Sequence, residues 1–98
     1  MDYGAFDTAL KAAAGDDAAL AAELHATFMD SAKRQLNLLS RSRCDANWQY
    51  TCWRLKGLAA SFHAEPLILL ADEALEAAPG EPTVVRRIQT FLDDFAAA

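Results

Sequence analysis

Residues 46–62 read ANWQYTCWRLKGLAASF, and the spacing of apolar residues in this stretch decides the fold. Five of them recur at intervals of four, three, four and three residues: Trp48, Cys52, Leu55, Ala59 and Phe62. Because an α-helix completes a turn every 3.6 residues, this spacing places all five on one face. The stretch therefore predicts a helix with this set as its buried face. Cys52 should be shielded inside the fold, whereas Cys44, in the connection before the helix, should be reactive.

Trp53 lies off this buried face. It directly follows Cys52, which turns it about 100° around the helix axis. Five other residues share its flank: Gln49, Tyr50, Lys56, Gly57 and Ala60. A glycine in a helix interior costs about 1 kcal/mol relative to alanine, so Gly57 indicates that something approaches the helix closely. An aromatic at the centre of such a face is typical of binding hot spots. The alternative is that Trp53 folds over its neighbours as a partly buried aromatic.

Helical periods separated by short turns fill the rest of the chain. We expect a short first helix over 4–13, then helices over 17–41, 46–62 and 65–78, and a fifth that opens at Thr83. In the second helix, apolar or small residues recur along one predicted face at positions 20, 24, 27, 28, 31, 35, 38 and 39. Strand signals are absent. We therefore predict an all-α fold, an antiparallel four-helix bundle with a short additional N-terminal helix, formed by residues 1–98 as a single domain.

The composition is typical of a soluble cytoplasmic protein. Of its 98 residues, 53% are hydrophobic and 23% charged. No run approaches the roughly 18 apolar residues of a membrane helix, and Asp2 and Asp7 stand where a signal peptide would be basic. The spacings of the cysteines and histidines match no zinc site. The sequence contains no recognisable catalytic serine–histidine–acid set and no phosphate-binding glycine loop. We therefore expect no membrane association, no metal or other cofactor, and no catalytic activity.

Charge is distributed unevenly along the chain. The net charge of −5 argues against nucleic acid as a partner. Residues 33–56 nevertheless carry +5, because six of the nine basic residues lie there with Asp45 as the only acid: Lys33, Arg34, Arg41, Arg43, Arg54 and Lys56. A solvated helix face with a loop would account for this pattern. The functional interpretation is an electropositive surface that steers an acidic partner toward the protein.

Several segments together resemble the histidine phosphotransfer (Hpt) domain family over essentially the whole chain. The most specific is Arg54-Leu55-Lys56-Gly57-Leu58-Ala59-Ala60, which is similar to the family's His-x-Leu-Lys-Gly phosphoacceptor motif. Phe6-Asp7-x-x-Leu10, Leu24-x-x-x-Phe28 and Leu67-x-x-Leu70-Ala71 resemble the helices around that motif. Two departures stand out. Trp53 occupies the position of the phosphoacceptor histidine, and His63 stands where a glycine commonly ends the third helix.

The resemblance implies a binding module of bacterial two-component signalling that has lost phosphotransfer. The family's histidine exchanges a phosphoryl group with an aspartate on a receiver domain, and an indole cannot replace it because its nitrogen only donates hydrogen bonds. The lysine that matches Lys56 neutralises the phosphoryl group, and the glycine that matches Gly57 admits the receiver's backbone. We expect docking of a response-regulator receiver domain or a histidine kinase through the face around the substituted position. Its residues are Trp53, Lys56, Gly57, Tyr50, Gln49, Arg54 and Ala60.

Two other functions remain open. Trp53 and Tyr50 could form the patch of a homodimer, with the signalling resemblance vestigial. Alternatively, His63 or His25 could carry the phosphoryl group. The first of these lies ten residues beyond Trp53, about 15 Å along the helix axis, so it cannot occupy the same docking position and is expected at the helix end. His25 is expected on the surface of the second helix.

Overall fold

Five helices account for almost all of the part of the chain that the computed structural model describes, which is the backbone of residues 4–97 and the side chains of residues 8–96. They are α1 (Gly4–Ala14), α2 (Ala18–Arg41), α3 (Asp45–Ser61), α4 (Glu65–Glu76) and α5 (Pro82–Ala97). No strand occurs within these limits, so the predicted all-α class is confirmed. The side chains of Phe6 and Asp7, which contribute to the Hpt resemblance, lie outside the described residues. None of the five helices is both long and apolar enough to cross a bilayer.

Local sequence signals set where the helices begin and end. Asp17 caps α2, because its carboxylate accepts a hydrogen bond from the backbone N–H of Leu20 at 3.1 Å. Pro66 lies in the first turn of α4, where its missing N–H costs nothing. Before α5, the Glu81 carboxylate accepts the N–H of Thr83 at 2.9 Å, and this hydrogen bond lowers the pKa of Glu81. Each helix therefore starts within two residues of its predicted position.

The four longest helices contact one another in a closed circuit around the core. α2 packs on α3, α3 on α4, α4 on α5 and α5 on α2, while α1 packs against α2. The largest fully buried side chains come from all four: Trp48, Phe28, Phe91, Leu39, Leu55, Leu67, Ile88 and Leu92. The Trp48 indole N–H donates to the carbonyl oxygen of Ala74 at 2.7 Å, which ties α3 to the last turn of α4.

The buried face of α3 matches the sequence prediction. Trp48, Cys52, Leu55 and Ala59 are each at most 1% exposed, and Phe62 is half-buried against the core. Thr51 is buried as well, with its hydroxyl donating to the carbonyl of Asn47 at 2.9 Å. The rotational setting of α3 therefore follows from the four- and three-residue spacing.

The predicted buried face of α2 is correct at some positions and wrong at others. The residues that α2 buries are Phe28, Met29, Ala32, Leu36 and Leu39. Of the predicted positions, Leu20, Thr27 and Leu38 are exposed, and only residues 28 and 39 are fully buried. The reason is that apolar residues occur in adjacent pairs, Phe28-Met29 and Leu38-Leu39, so two rotational settings of the helix are nearly equally apolar. Packing against α3 and α5 selects one of them.

His63 forms the turn between α3 and α4. Its φ is +57°, in the left-handed region that side chains other than glycine rarely adopt. The His63 N–H donates to the Ala60 carbonyl at 3.2 Å, and the Ala64 N–H donates to the Ala59 carbonyl at 2.8 Å. These two bonds form a Schellman motif, which favours glycine at the position that His63 occupies. The expectation that His63 lies at the end of the helix is confirmed.

Candidate docking surface

The outer face of α3 carries the residues that the sequence singled out. Because Cys52, Leu55 and Ala59 point into the core with no exposed area, the opposite side of the helix faces solvent. Trp53 is 59% exposed there, and Tyr50, three residues earlier, is 62% exposed. Two large aromatic side chains thus lie within one turn on a rigidly packed helix. Trp53 is therefore not a core residue, although the alternative that its ring folds over neighbouring side chains holds for Lys56, whose ammonium lies 5.2 Å from the ring centroid.

Lys56 is held by two neighbours. Its ammonium nitrogen lies 2.8 Å from an Asp72 carboxylate oxygen on α4 and 5.2 Å from the centroid of the Trp53 indole. The second distance is within the range of a cation–π contact. Trp53 and Asp72 therefore hold the lysine between them, and Asp72 already offsets part of its charge. The ion pair with Asp72 was not predicted from the sequence, because the two residues are sixteen positions apart and meet only when α3 packs on α4.

Tyr50 and Arg54 form a second aromatic–cation pair on the same face. The Arg54 guanidinium donates to the Tyr50 hydroxyl at 3.2 Å, and its central carbon lies 5.6 Å from the ring centroid. Arg54 also lines a cavity between α2 and α3. This pair therefore leans toward α2, whereas the Trp53–Lys56 pair leans toward α4.

Gly57 lies between these two pairs, and nothing among the residues that the structure describes requires a glycine there. A Cβ built on Gly57 meets no heavy atom within 4 Å, and Gln49 and Ala60 on the same side of the helix are also exposed. The glycine nevertheless costs about 1 kcal/mol of helix stability relative to alanine. Since no contact within the described residues accounts for this cost, the open space over Gly57 is available to the backbone of a partner.

Neither histidine lies in this face. His63 is exposed in the turn after α3, and His25 is half-buried on α2. The His25 ring stacks on Phe95 of α5 with 5.1 Å between centroids and 7° between the ring planes. This packing orients the imidazole along α5 rather than toward Lys56 and Gly57.

Four of the six basic residues of segment 33–56 are divided between two places, while Arg43 lies apart from them beside the α4–α5 connection. Lys56 contacts α4, as described above. Three arginines instead line a trough between α2 and α3, which consists of two adjoining cavities of about 400 and 540 Å³ that share Gln35, Leu38 and Arg54. Arg34 lines the first cavity, and Arg41 lines the second. The sequence predicted a single electropositive surface, but helix packing separates its members.

The two cysteines do not form a disulfide with each other. Cys52 is buried and Cys44 exposed, both with free thiols, and burial raises the pKa of the Cys52 thiol to about 11. Among the residues that the structure describes, no group of three histidine, cysteine or acidic side chains is arranged to hold a metal ion.

Comparison of the chain with known protein families, with curated proteins and with solved structures finds no match. The Hpt resemblance therefore depends on the quoted motifs alone.

Proposed function

We propose that this chain is an Hpt-like protein-binding module of two-component signalling that docks a receiver domain or a histidine kinase without relaying phosphate. In this proposal α2, α3, α4 and α5 form an antiparallel four-helix bundle, with α1 added at its N-terminal end. The protein acts in the cytoplasm and has no catalytic activity of its own. The observation that carries the proposal is the position of Trp53. It stands where the motif expects a phosphoacceptor histidine, and it is 59% exposed on the outer face of α3, whose opposite face is buried.

The geometry of the α3 face supports docking. The partner would meet Trp53 and Tyr50, two aromatics with large areas and few rotatable bonds, each held by a neighbouring cation. Between them, the open surface at Gly57 would admit a close backbone approach. The proposed interface comprises Trp53, Lys56, Gly57, Tyr50, Gln49, Arg54 and Ala60.

The ion pair between Lys56 and Asp72 affects how strongly Lys56 can bind a partner. The phosphorylation pocket of a receiver is rich in carboxylates in the families to which the resemblance points. Lys56 would contact such a pocket only by sharing or breaking its 2.8 Å ion pair with Asp72. Asp72 therefore competes with the partner for the lysine and lowers the affinity that Lys56 can provide.

A bulky substitution at Gly57 tests the proposal directly. Gly57→Arg should leave the fold intact, because nothing lies within 4 Å of its Cβ and arginine favours helix more than glycine. Ala22→Arg, at an exposed alanine on α2 outside the proposed face, adds the same side chain and charge as a matched control. Both variants and the wild type are measured by biolayer interferometry against a panel of receiver domains and kinase dimerisation domains.

We expect at least one partner to bind the wild type and Ala22→Arg alike and to lose most of its affinity for Gly57→Arg. We also expect no acid-labile, base-stable phosphate on the wild type after incubation with phosphorylated receivers. A panel without any binder would overturn the docking proposal, and stable histidine phosphate would overturn the loss of phosphotransfer.

A homodimer through Trp53 and Tyr50 is the competing function, and the exposure of both aromatics within one turn favours it as well. Light scattering without a partner separates the two. A dimer that Trp53→Ala converts to a monomer would favour self-association, whereas a monomer that binds a receiver would favour docking.

A further inference from the structure

We propose that α4 of one copy of this chain docks in the α2–α3 trough of a second copy, which forms a weak head-to-tail contact. The trough shares Tyr50 and Arg54 with the proposed docking surface but includes neither Trp53 nor Gly57, and the inference does not depend on the proposed function.

The trough has the chemistry of a site for an acidic, partly apolar helix. Its two cavities run along α2 from Ser31 to Ser42, a distance of about 16 Å at 1.5 Å per residue. Arg34, Arg41 and Arg54 line it, and no acidic side chain is among the described residues that do so. Leu38, 47% exposed, provides an apolar floor. Guanidinium groups bind carboxylates through paired hydrogen bonds, so the trough fits acidic side chains spaced along a helix.

The outer face of α4 has the complementary chemistry. α4 contains four acidic residues and no basic one, and its outer stripe consists of Glu65, Leu69, Asp72, Glu73 and Glu76. Leu69 is 67% exposed, the largest fraction among the exposed large hydrophobic residues that the structure describes. The helix has 12 residues and is therefore about 18 Å long, which matches the length of the trough.

One copy cannot fill its own trough. α4 packs against α3 and α5, whereas the trough lies where α2 meets α3. The two surfaces can therefore meet only between copies.

The charge distribution favours contact between two copies. The chain carries −5 in total and +5 in residues 33–56, which leaves −10 on the remainder. Because different surfaces of the two copies meet, the contact leaves one trough and one α4 free and can propagate.

The strength of the contact should be modest. Asp72 and Glu73 already form ion pairs with Lys56 and Arg87, although both carboxylates remain about half exposed. Solvent-exposed ion pairs contribute little individually and are screened by salt. Association should therefore appear at high protein concentration and low ionic strength, and disappear when salt is added.

Complementation between two variants tests the head-to-tail arrangement. Arg34→Glu/Arg41→Glu changes the charge of the three lining arginines from +3 to −1 and leaves α4 intact. Leu69→Lys disables α4 and leaves the trough intact. All three positions are exposed, so the variants should fold, which circular dichroism verifies. Sedimentation velocity at about 20 mM and about 500 mM salt, where the screening length differs severalfold, gives the mass of each sample.

We expect the wild type to exceed its monomer mass of 10.6 kDa at low salt and to return to it at high salt. Each variant alone should remain a monomer, and an equimolar mixture of the two should form a heterodimer that does not grow further. Monomeric wild type at low salt would overturn the proposal. So would folded variants that fail to complement each other, because that result indicates an interface made of the same surface on both copies. Association abolished by Trp53→Ala but retained by Leu69→Lys would assign self-association to the α3 face instead.

Discussion

Trp53 and Trp48 lie on the same helix, but the first is expected to be a surface anchor and the second is a core residue. Truncating each of them to alanine tests this difference. The two tryptophans are five residues apart on α3, and their exposed fractions are 59% and 1%. Trp53→Ala and Trp48→Ala remove the same atoms from the same helix. Any difference between their effects therefore reports the environment of the side chain and not the substitution itself.

The expected effects on stability follow from the contacts of each side chain. Trp53→Ala loses the cation–π contact with Lys56, about 0.5–1 kcal/mol at an exposed site, and gains roughly half a kcal/mol in helix propensity. Its free energy of unfolding should change by less than about 1 kcal/mol. Trp48→Ala leaves a cavity in the core and should cost about 3–5 kcal/mol. The Ala74 carbonyl that accepts the Trp48 indole N–H also accepts the Ala77 N–H at 3.1 Å. It therefore keeps one hydrogen bond in Trp48→Ala, and the lost indole hydrogen bond adds little to the free-energy cost.

Thermal unfolding and binding measured on the same samples provide the assay. A change of 1 kcal/mol in the free energy of unfolding shifts the Tm of a domain of this size by about 4–8 °C. Trp53→Ala should therefore shift the Tm by less than about 4–8 °C, and Trp48→Ala should lower it by at least about 12 °C. Against a receiver that binds the wild type, Trp53→Ala should cost about 2 kcal/mol, roughly a 30-fold loss of affinity. A loss of more than about 3 kcal/mol in stability by Trp53→Ala would refute the surface assignment. Unchanged affinity would refute its role as an anchor.

Four further predictions concern single residues. His63→Gly should stabilise the fold by about 1 kcal/mol in urea unfolding, because glycine adopts the left-handed turn without strain, and a destabilised variant would contradict the Schellman assignment. Thiol labelling of the native protein should modify Cys44 rapidly and Cys52 only after unfolding, because burial raises the pKa of the latter thiol to about 11; equal rates would disprove the α3 packing. Asp72→Asn should release the lysine of the α3 face and speed association with a receiver at low salt, and an unchanged rate would show that the ion pair does not compete. Trp53→His should accept phosphate from a phosphorylated receiver, since only the nucleophile is missing; failure across a broad panel would favour self-association over docking.

The sequence by itself determined the helices and the rotational setting of α3. Trp48, Cys52, Leu55 and Ala59 were predicted inside and are buried, because their spacing allows only one apolar face. The exposure of the Trp53 flank followed directly, since a residue one position away from a buried stripe must turn about 100° from it. The Hpt resemblance and the receiver partner remain predictions.

Tertiary structure alone decided the setting of α2 and the partners of the charged residues. α2 carries adjacent apolar pairs, so its own sequence allowed two faces, and contact with α3 and α5 selected the one that exposes Leu38. That choice also opened the trough and brought three arginines to it. Lys56 and Asp72 lie on different helices, and their 2.8 Å ion pair exists because α3 and α4 pack side by side. Periodicity describes one helix at a time, whereas ion pairs and troughs form between helices, so their positions depend on how the helices pack.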